Sequence, residues 1–291
     1  MSSWTMQRRL KSLAARQRGG LVALHVVERG RELSALCPDD EVFTLTRELI
    51  LDRIYDREGT SFFDGMGTVV DAGAHAGLFT LQASQWARRV VSIEASRVNY
   101  DLLTLNIDRN GLGNVEPRHL ALWSTSNEAL QLEAMHNTGG GRVVDSSSPA
   151  GTGTAVASLS LDDLIEEVGE IDLLKMDIEG SEFATVGACT KLGAISRIVG
   201  EMHIEHPDDR ARLDALVGQL EDSGFCVSLV AERDLYSHQS LARLLRNRSA
   251  LHGYTMAKVL AAAYYVAPIE KPIRPALATY ELPVLVAHQR S

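Results

Sequence analysis

From Thr68 onward, short apolar runs of strand length alternate with longer stretches of helical period, and this alternation constrains the fold more than any other feature. The spacing predicts strands at 68–71, 89–94, 115–120, 171–177 and 197–203, with helices near 78–87, 97–110, 161–168, 181–191 and 208–222. Strands that are apolar along their length are buried on both faces, and the alternation implies right-handed crossovers. The expected class is therefore α/β, a mostly parallel sheet with helices on both faces. Two later apolar segments, 224–230 and 261–266, are expected to form an antiparallel pair at one edge of that sheet. Residues 1–67 read as an N-terminal lead-in of helix and strand, and 68–291 as the main domain. Within it, the Gly- and Ser-rich stretch 136–157 has no periodicity and is expected to be a lid loop.

Composition narrows the function classes. With 45% apolar and 23% charged residues the chain has the mix of a folded globular protein. The longest apolar run, Val259 to Ala267, is too short to span a bilayer, so no membrane span is expected. The first twenty residues lack the apolar core of a secretory signal, and the three cysteines form no C-x-x-C pair. A cytoplasmic protein without a disulfide framework or thiolate metal site is expected. The net charge of −9 would repel a long phosphate backbone, so nucleic acid is not an expected partner. Arg8, Arg9, Lys11, Arg16 and Arg18 make the N-terminus locally basic, which reads as a solvated end. Oligomeric state leaves no trace in the sequence.

The strongest local signal is Thr68-Val-Val-Asp-Ala-Gly-Ala-His-Ala-Gly-Leu-Phe-Thr80, a strand running into a glycine turn and then a helix. Glycines let backbone approach a ligand closely, and the helix N-terminus offers unpaired N–H groups. Gly73 and Gly77 lie four apart instead of following G-x-G-x-x-G, and Asp71 precedes them, so pyrophosphate is disfavoured. Asp71 either accepts a hydrogen bond from an ammonium group of the ligand or caps its own turn. The second strand ends in Glu94, 17 residues after Gly77, where a carboxylate can accept both hydroxyls of a ribose.

Five stretches together resemble the FkbM family of S-adenosylmethionine-dependent methyltransferases: Val70 to Phe79, Val91 to Glu94, Leu105 to Leu112, Ser160 to Leu164 and Ile171 to Glu182. The resemblance implies a class I methyltransferase (Rossmann-like) fold, S-adenosyl-L-methionine as cofactor, and methyl transfer to a hydroxyl of a sugar or other secondary metabolite. It assigns Asp71, Gly73 and Gly77 to the methionine part, Glu94 to the ribose, and Ala121 and Leu122 to the adenine. The family commonly has Asn where His75 stands and Pro where Ala95 stands. His75 either donates to the methionine carboxylate, as Asn would, or is structural.

Methyl transfer is an in-line displacement, so the protein must align the acceptor and take its proton. Candidate groups sit at the carboxyl ends of the fourth and fifth strands. Asp177 is expected to position the acceptor, Glu201 to lie on the same side as His203, and His203 to act as general base by its intrinsic pKa. A divalent cation held by His203, His206, Asp177 and Glu205 is the less favoured arrangement, because no metal-binding spacing is present. The expected function is O-methylation of a small polar acceptor; N-methylation, or a cofactor-binding scaffold without transfer chemistry, is the alternative.

Overall fold

A computed structural model describes residues 20–38, 41, 45, 54–56, 65–134, 141–144, 153–204, 206–230 and 284–289. Its centre is a seven-stranded sheet ordered β12-β13-β11-β10-β3-β4-β5. The parallel members are β3 (Met66–Ala72), β4 (Ala87–Ile93), β5 (Val115–Arg118), β10 (Leu173–Met176) and β11 (Arg197–Glu201). Successive residues of these strands point into different cores. Val69, Val90, Leu173 and Val199 join one cluster with residues of α1 (Leu78–Ala83) and α2 (Arg97–Asn110). Val70, Val91, Leu174 and Ile198 join the other with α3 (Leu161–Val168), α4 (Glu182–Gly187) and α5 (Pro207–Asp222). Both faces of the sheet are thus covered by helices, the α/β arrangement expected from the sequence.

The antiparallel edge pair exists with a different partner. β12 (Phe225–Val230) pairs with β13 (Val284–Gln289), which inserts between β12 and β11 and runs antiparallel to both. The segment 261–266, expected to fill that place, lies outside the described residues. Both segments are short apolar runs, and only tertiary pairing distinguishes them.

Two further sheets were not foreseen. β1 (Leu21–Glu28) and β2 (Arg31–Pro38) form a hairpin turned at Arg29-Gly30, both at positive φ. The hairpin shares the core of the main sheet through Leu24, Leu33, Ala35 and Cys37. Asn106 on α2 fixes it there: its side chain bonds both backbone groups of Leu36 and also donates to the carbonyl of Ala76 in the glycine turn. The other sheet is ordered β6-β9-β7-β8 and contains β6 (Ala121–Trp123), β7 (Ala129–Ala134), β8 (Gly141–Val144) and β9 (Thr154–Ser160). The reading of 136–157 as irregular throughout is therefore corrected, since 141–144 and 154–157 are strand. The third predicted strand also stops early, at Arg118, before the chain changes sheets into β6.

Candidate active site

At the carboxyl edge of the sheet, β3 turns through Gly73 to Gly77 into α1. The turn demands glycine twice. Gly73 has φ +74, and a Cβ there would lie 1.7 Å from the carbonyl oxygen of Asp177. Gly77 has φ +86, and its Cβ would meet Leu103 Cδ1 at 2.5 Å. His75, between them, takes φ +51, an unusual conformation for a residue with a side chain. It is pinned from two directions: its N–H donates to Glu94 Oε2 at 2.8 Å, and its ring Nε2 lies 2.8 Å from Glu41 Oε2. Burial alone would lower the His75 pKa, but the hydrogen bond and charge of Glu41, with Glu94 and Asp177 nearby, raise it overall.

Glu94 stands at the end of β4 as the sequence suggested. The N–H of Ser96 donates to its Oε1 at 2.7 Å, so each carboxylate oxygen is oriented by one backbone donor and keeps further accepting capacity. Burial pushes its pKa up, offset only partly by His75 and those two N–H groups. Ala121 and Leu122 are both buried, Leu122 in the core beside α3 and Ala121 beneath the smaller sheet. Neither side chain is open to an adenine ring, which leaves only their backbone for the contact that the sequence suggested.

Asp71 requires a correction. Its carboxylate has no exposed surface: Oδ2 accepts from the Thr80 hydroxyl, and Oδ1 lies 3.3 Å from Lys175 Nζ. An ammonium group from a ligand would have to displace Lys175 to reach it. Lys175 is the polar member of an otherwise apolar strand, and it is nearly fully buried. It donates to the Gly73 carbonyl at 2.8 Å, lies 3.9 Å from Asp177 Oδ2, and sits 5.2 Å from the ring centroid of Tyr55. Burial would lower its pKa, but Asp71, Asp177 and Glu201 outweigh that and raise it, so the ammonium stays charged. A lysine inside a buried strand must have partners, and that is the signal in the sequence that points to it.

The acceptor end gathers side chains from distant segments. Asp177 follows β10, Glu201 ends β11, and the hydroxyl of Tyr55 reaches both, 2.7 Å from Glu201 Oε1 and 3.2 Å from Asp177 Oδ2. His203 is nearly fully buried, with Nδ1 2.9 Å from Glu182 Oε1 and Nε2 3.2 Å from Glu179 Oε2. Burial alone would depress its pKa, yet Glu182, Glu179 and Asp177 lift it well above the ordinary imidazole range. The geometry speaks against His203 as general base, since both ring nitrogens already face carboxylates, Glu182 at Nδ1 and Glu179 at Nε2. Ligand atoms of Asp177, Glu201 and His203 lie within 4.8 Å of one another, and among the described residues they form the group that could hold a divalent cation.

A cleft joins the two ends, lined by Gly73, His75, Lys175 and Asp177 and closed from the N-terminal side by Leu45 and Tyr55. Sequence reasoning missed Glu41, Tyr55 and Lys175. The first two carry no motif and reach the site only through the fold.

The sequence matches the methyltransferase FkbM domain over residues 71–248, more than half of the chain. No curated protein matches it. Among solved structures, the methyltransferase FkbM from Methylobacillus flagellatus KT is 15% identical with a TM-score of 0.43, over 80% of this chain and 57% of that one. TYW2 of M. jannaschii, solved in complex with AdoMet, is 16% identical with a TM-score of 0.41, over 94% and 89%. A SAM-dependent methyltransferase from Thiobacillus denitrificans, in complex with S-adenosyl-L-homocysteine, is 11% identical with a TM-score of 0.38, over 87% and 99%. Likenesses this loose carry no argument of their own, and the family match carries the assignment. With its α/β sheet of class I order, the chain belongs to the FkbM methyltransferase family and is a methyltransferase that uses S-adenosylmethionine.

Proposed function

We propose that the chain methylates a hydroxyl of a small polar metabolite, such as a sugar or a hydroxylated natural product. The observation that supports this most is the seating of the Tyr55 hydroxyl between Asp177 and Glu201, beside the cleft. A place that accepts one O–H between two carboxylates suits the O–H of an acceptor. The net charge of −9 favours a small acceptor over nucleic acid. An amine is the second reading, favoured by the acidity that Asp177, Glu179 and Glu201 give this end.

The residues fit the cofactor in two respects: His75 lines the cleft with a buried ring nitrogen that has no protein partner, and Glu94 ends the neighbouring strand with accepting capacity left. In this reading His75 and the Gly73 to Gly77 turn hold the methionine end and Glu94 the ribose. The cofactor, when bound, supplies a methyl group already activated by a sulfonium. Asp177, whose side chain is 32% exposed, takes the hydroxyl proton onto its carboxylate and orients the acceptor oxygen, with Glu201 as second acceptor. The His203 imidazolium, held by Glu182, steadies the surrounding carboxylates. Of the cover expected at 136–157, only 141–144 and 153–157 fall among the described residues, and strands 141–144 and 154–157 pair within the smaller sheet.

The test is transfer of labelled methyl groups to a panel of hydroxylated small molecules and matched amines, with and without chelator. Asp177→Asn should lower turnover about 10²- to 10⁴-fold with little change in affinity for S-adenosylhomocysteine. Transfer to the amines alone, or turnover abolished by chelator and restored by magnesium, would overturn the corresponding part of this reading.

A further inference from the structure

We propose that Glu41 is a positioning residue for the cofactor: by holding His75 Nε2, it leaves Nδ1 of the same ring to face the cleft as donor to the carboxylate of the cofactor's methionine end. This rests on the placement of that end at the glycine turn. Glu41 lies ahead of the matched residues 71–248, so nothing in the family match bears on it.

Three observations carry the inference. The Glu41 and His75 side chains are about four-fifths buried and 2.8 Å apart, a geometry that fixes which ring edge each neighbour sees. His75 Nδ1 is buried with no hydrogen-bond partner, and an orphaned polar atom in a binding cleft is a place for a ligand atom. The positive φ of His75 and the bond from its N–H to Glu94 fix where the ring starts from, and its burial and the Nε2 contact with Glu41 restrain its rotation.

The protonation state decides what Nδ1 offers. In a neutral ring whose Nε2–H is given to Glu41, Nδ1 is a lone pair and repels a carboxylate. In the imidazolium it is a donor. The titratable groups facing the ring are Glu41 from the N-terminal segment, Glu94 at the end of β4 and Asp177 after β10, while Lys175 lines the same cleft and α1 contributes no titratable side chain. Together the three acids hold the His75 pKa above its ordinary value. Affinity for the carboxylate should therefore be full at low pH and be lost as pH rises through that raised pKa. Removing the Glu41 charge moves the loss to lower pH.

The experiment measures calorimetric affinity for S-adenosylhomocysteine from about pH 6 to about pH 9, spanning the range in which a histidine changes charge. The proteins compared are wild type, Glu41→Gln, His75→Asn and the double variant. The ligand's own amino group titrates alike against all four, so the ratios are read. Glu41→Gln should weaken binding about tenfold near pH 8, the value of one charge-assisted hydrogen bond, and hardly at all near pH 6. Asn at position 75 supplies a neutral N–H, so its profile relative to wild type should show no histidine titration, and Glu41→Gln should add nothing in that background. Equal weakening by Glu41→Gln at every pH, or equal weakening in the His75→Asn background, would overturn the proposal. Failure of the wild type to bind at all would instead overturn the cofactor placement beneath it.

Discussion

The two ends of the cleft are built in different ways. At the cofactor end the turn is set by backbone groups: Gly73 and Ala74 donate to the Ile93 carbonyl, and the Glu94 side chain is oriented by the N–H groups of His75 and Ser96, with the Glu41 and Lys175 side chains reaching in from outside. Nearly all of it comes from residues 71–96, within one strand–helix–strand unit. At the acceptor end the groups are side chains from segments far apart in sequence: Tyr55, Asp177, Glu201 and His203. A site made of backbone tolerates few sequences, whereas one made of side chains can be retuned residue by residue. That suits a common cofactor and a variable acceptor.

The comparison breaks hardest where the two ends touch, at Gly73. Gly73→Ala would drive a methyl group onto the Asp177 carbonyl and hold alanine at φ +74, so no rotamer relieves it. The expected loss is more than about 4 kcal/mol in urea unfolding, with cofactor and acceptor functions lost together. A variant that folds normally and loses only cofactor affinity would mean that the ends are less tightly joined than this contact implies.

Lys175→Met should come next. It leaves Asp71 fully buried without its cation and removes the donor to the Gly73 carbonyl, a change that typically costs about 3 to 5 kcal/mol. Adding Asp71→Asn should recover part of the loss, measured again by urea unfolding, because the uncompensated charge is then gone. No recovery would mean that the uncompensated charge of Asp71 is not what destabilises the variant.

The same contrast explains what the sequence made legible. The glycine turn, Glu94 and the buried strands were readable because their signals are contiguous: spacing of glycines, period of apolar residues, an acid at a strand end. His203 was read as a general base from its intrinsic pKa, because nothing local reveals that Glu179 and Glu182, three and six residues past Met176, both fold back onto it. Glu41 and Tyr55 lie in a stretch with no motif, and Asn106 and Asn110 anchor the hairpin just ahead of Glu41 through Leu36 and Ser34. β9 was hidden differently: its inward positions Val156 and Ser158 do alternate, but small residues between them blur the period. The strand at 284–289 could not be told from 261–266 by apolarity alone.

Tyr55→Phe carries the smallest expected effect and the sharpest test of separability. The phenyl ring keeps the edge contact with Phe79, at 5.7 Å between centroids, and its place near Lys175, so packing is preserved. What disappears is one hydroxyl, whose single proton serves two carboxylates and is best placed for Glu201 at the shorter distance. Stability should fall by about 1 kcal/mol, and affinity for S-adenosylhomocysteine should stay within about twofold, since no cofactor-end group loses a partner. Acceptor KM should change more than cofactor affinity, because Asp177 and Glu201 then present both oxygens to an incoming hydroxyl. A tenfold fall in S-adenosylhomocysteine affinity would show that Tyr55 works through Lys175 on the glycine turn, and the division into two independently built ends would have to be given up.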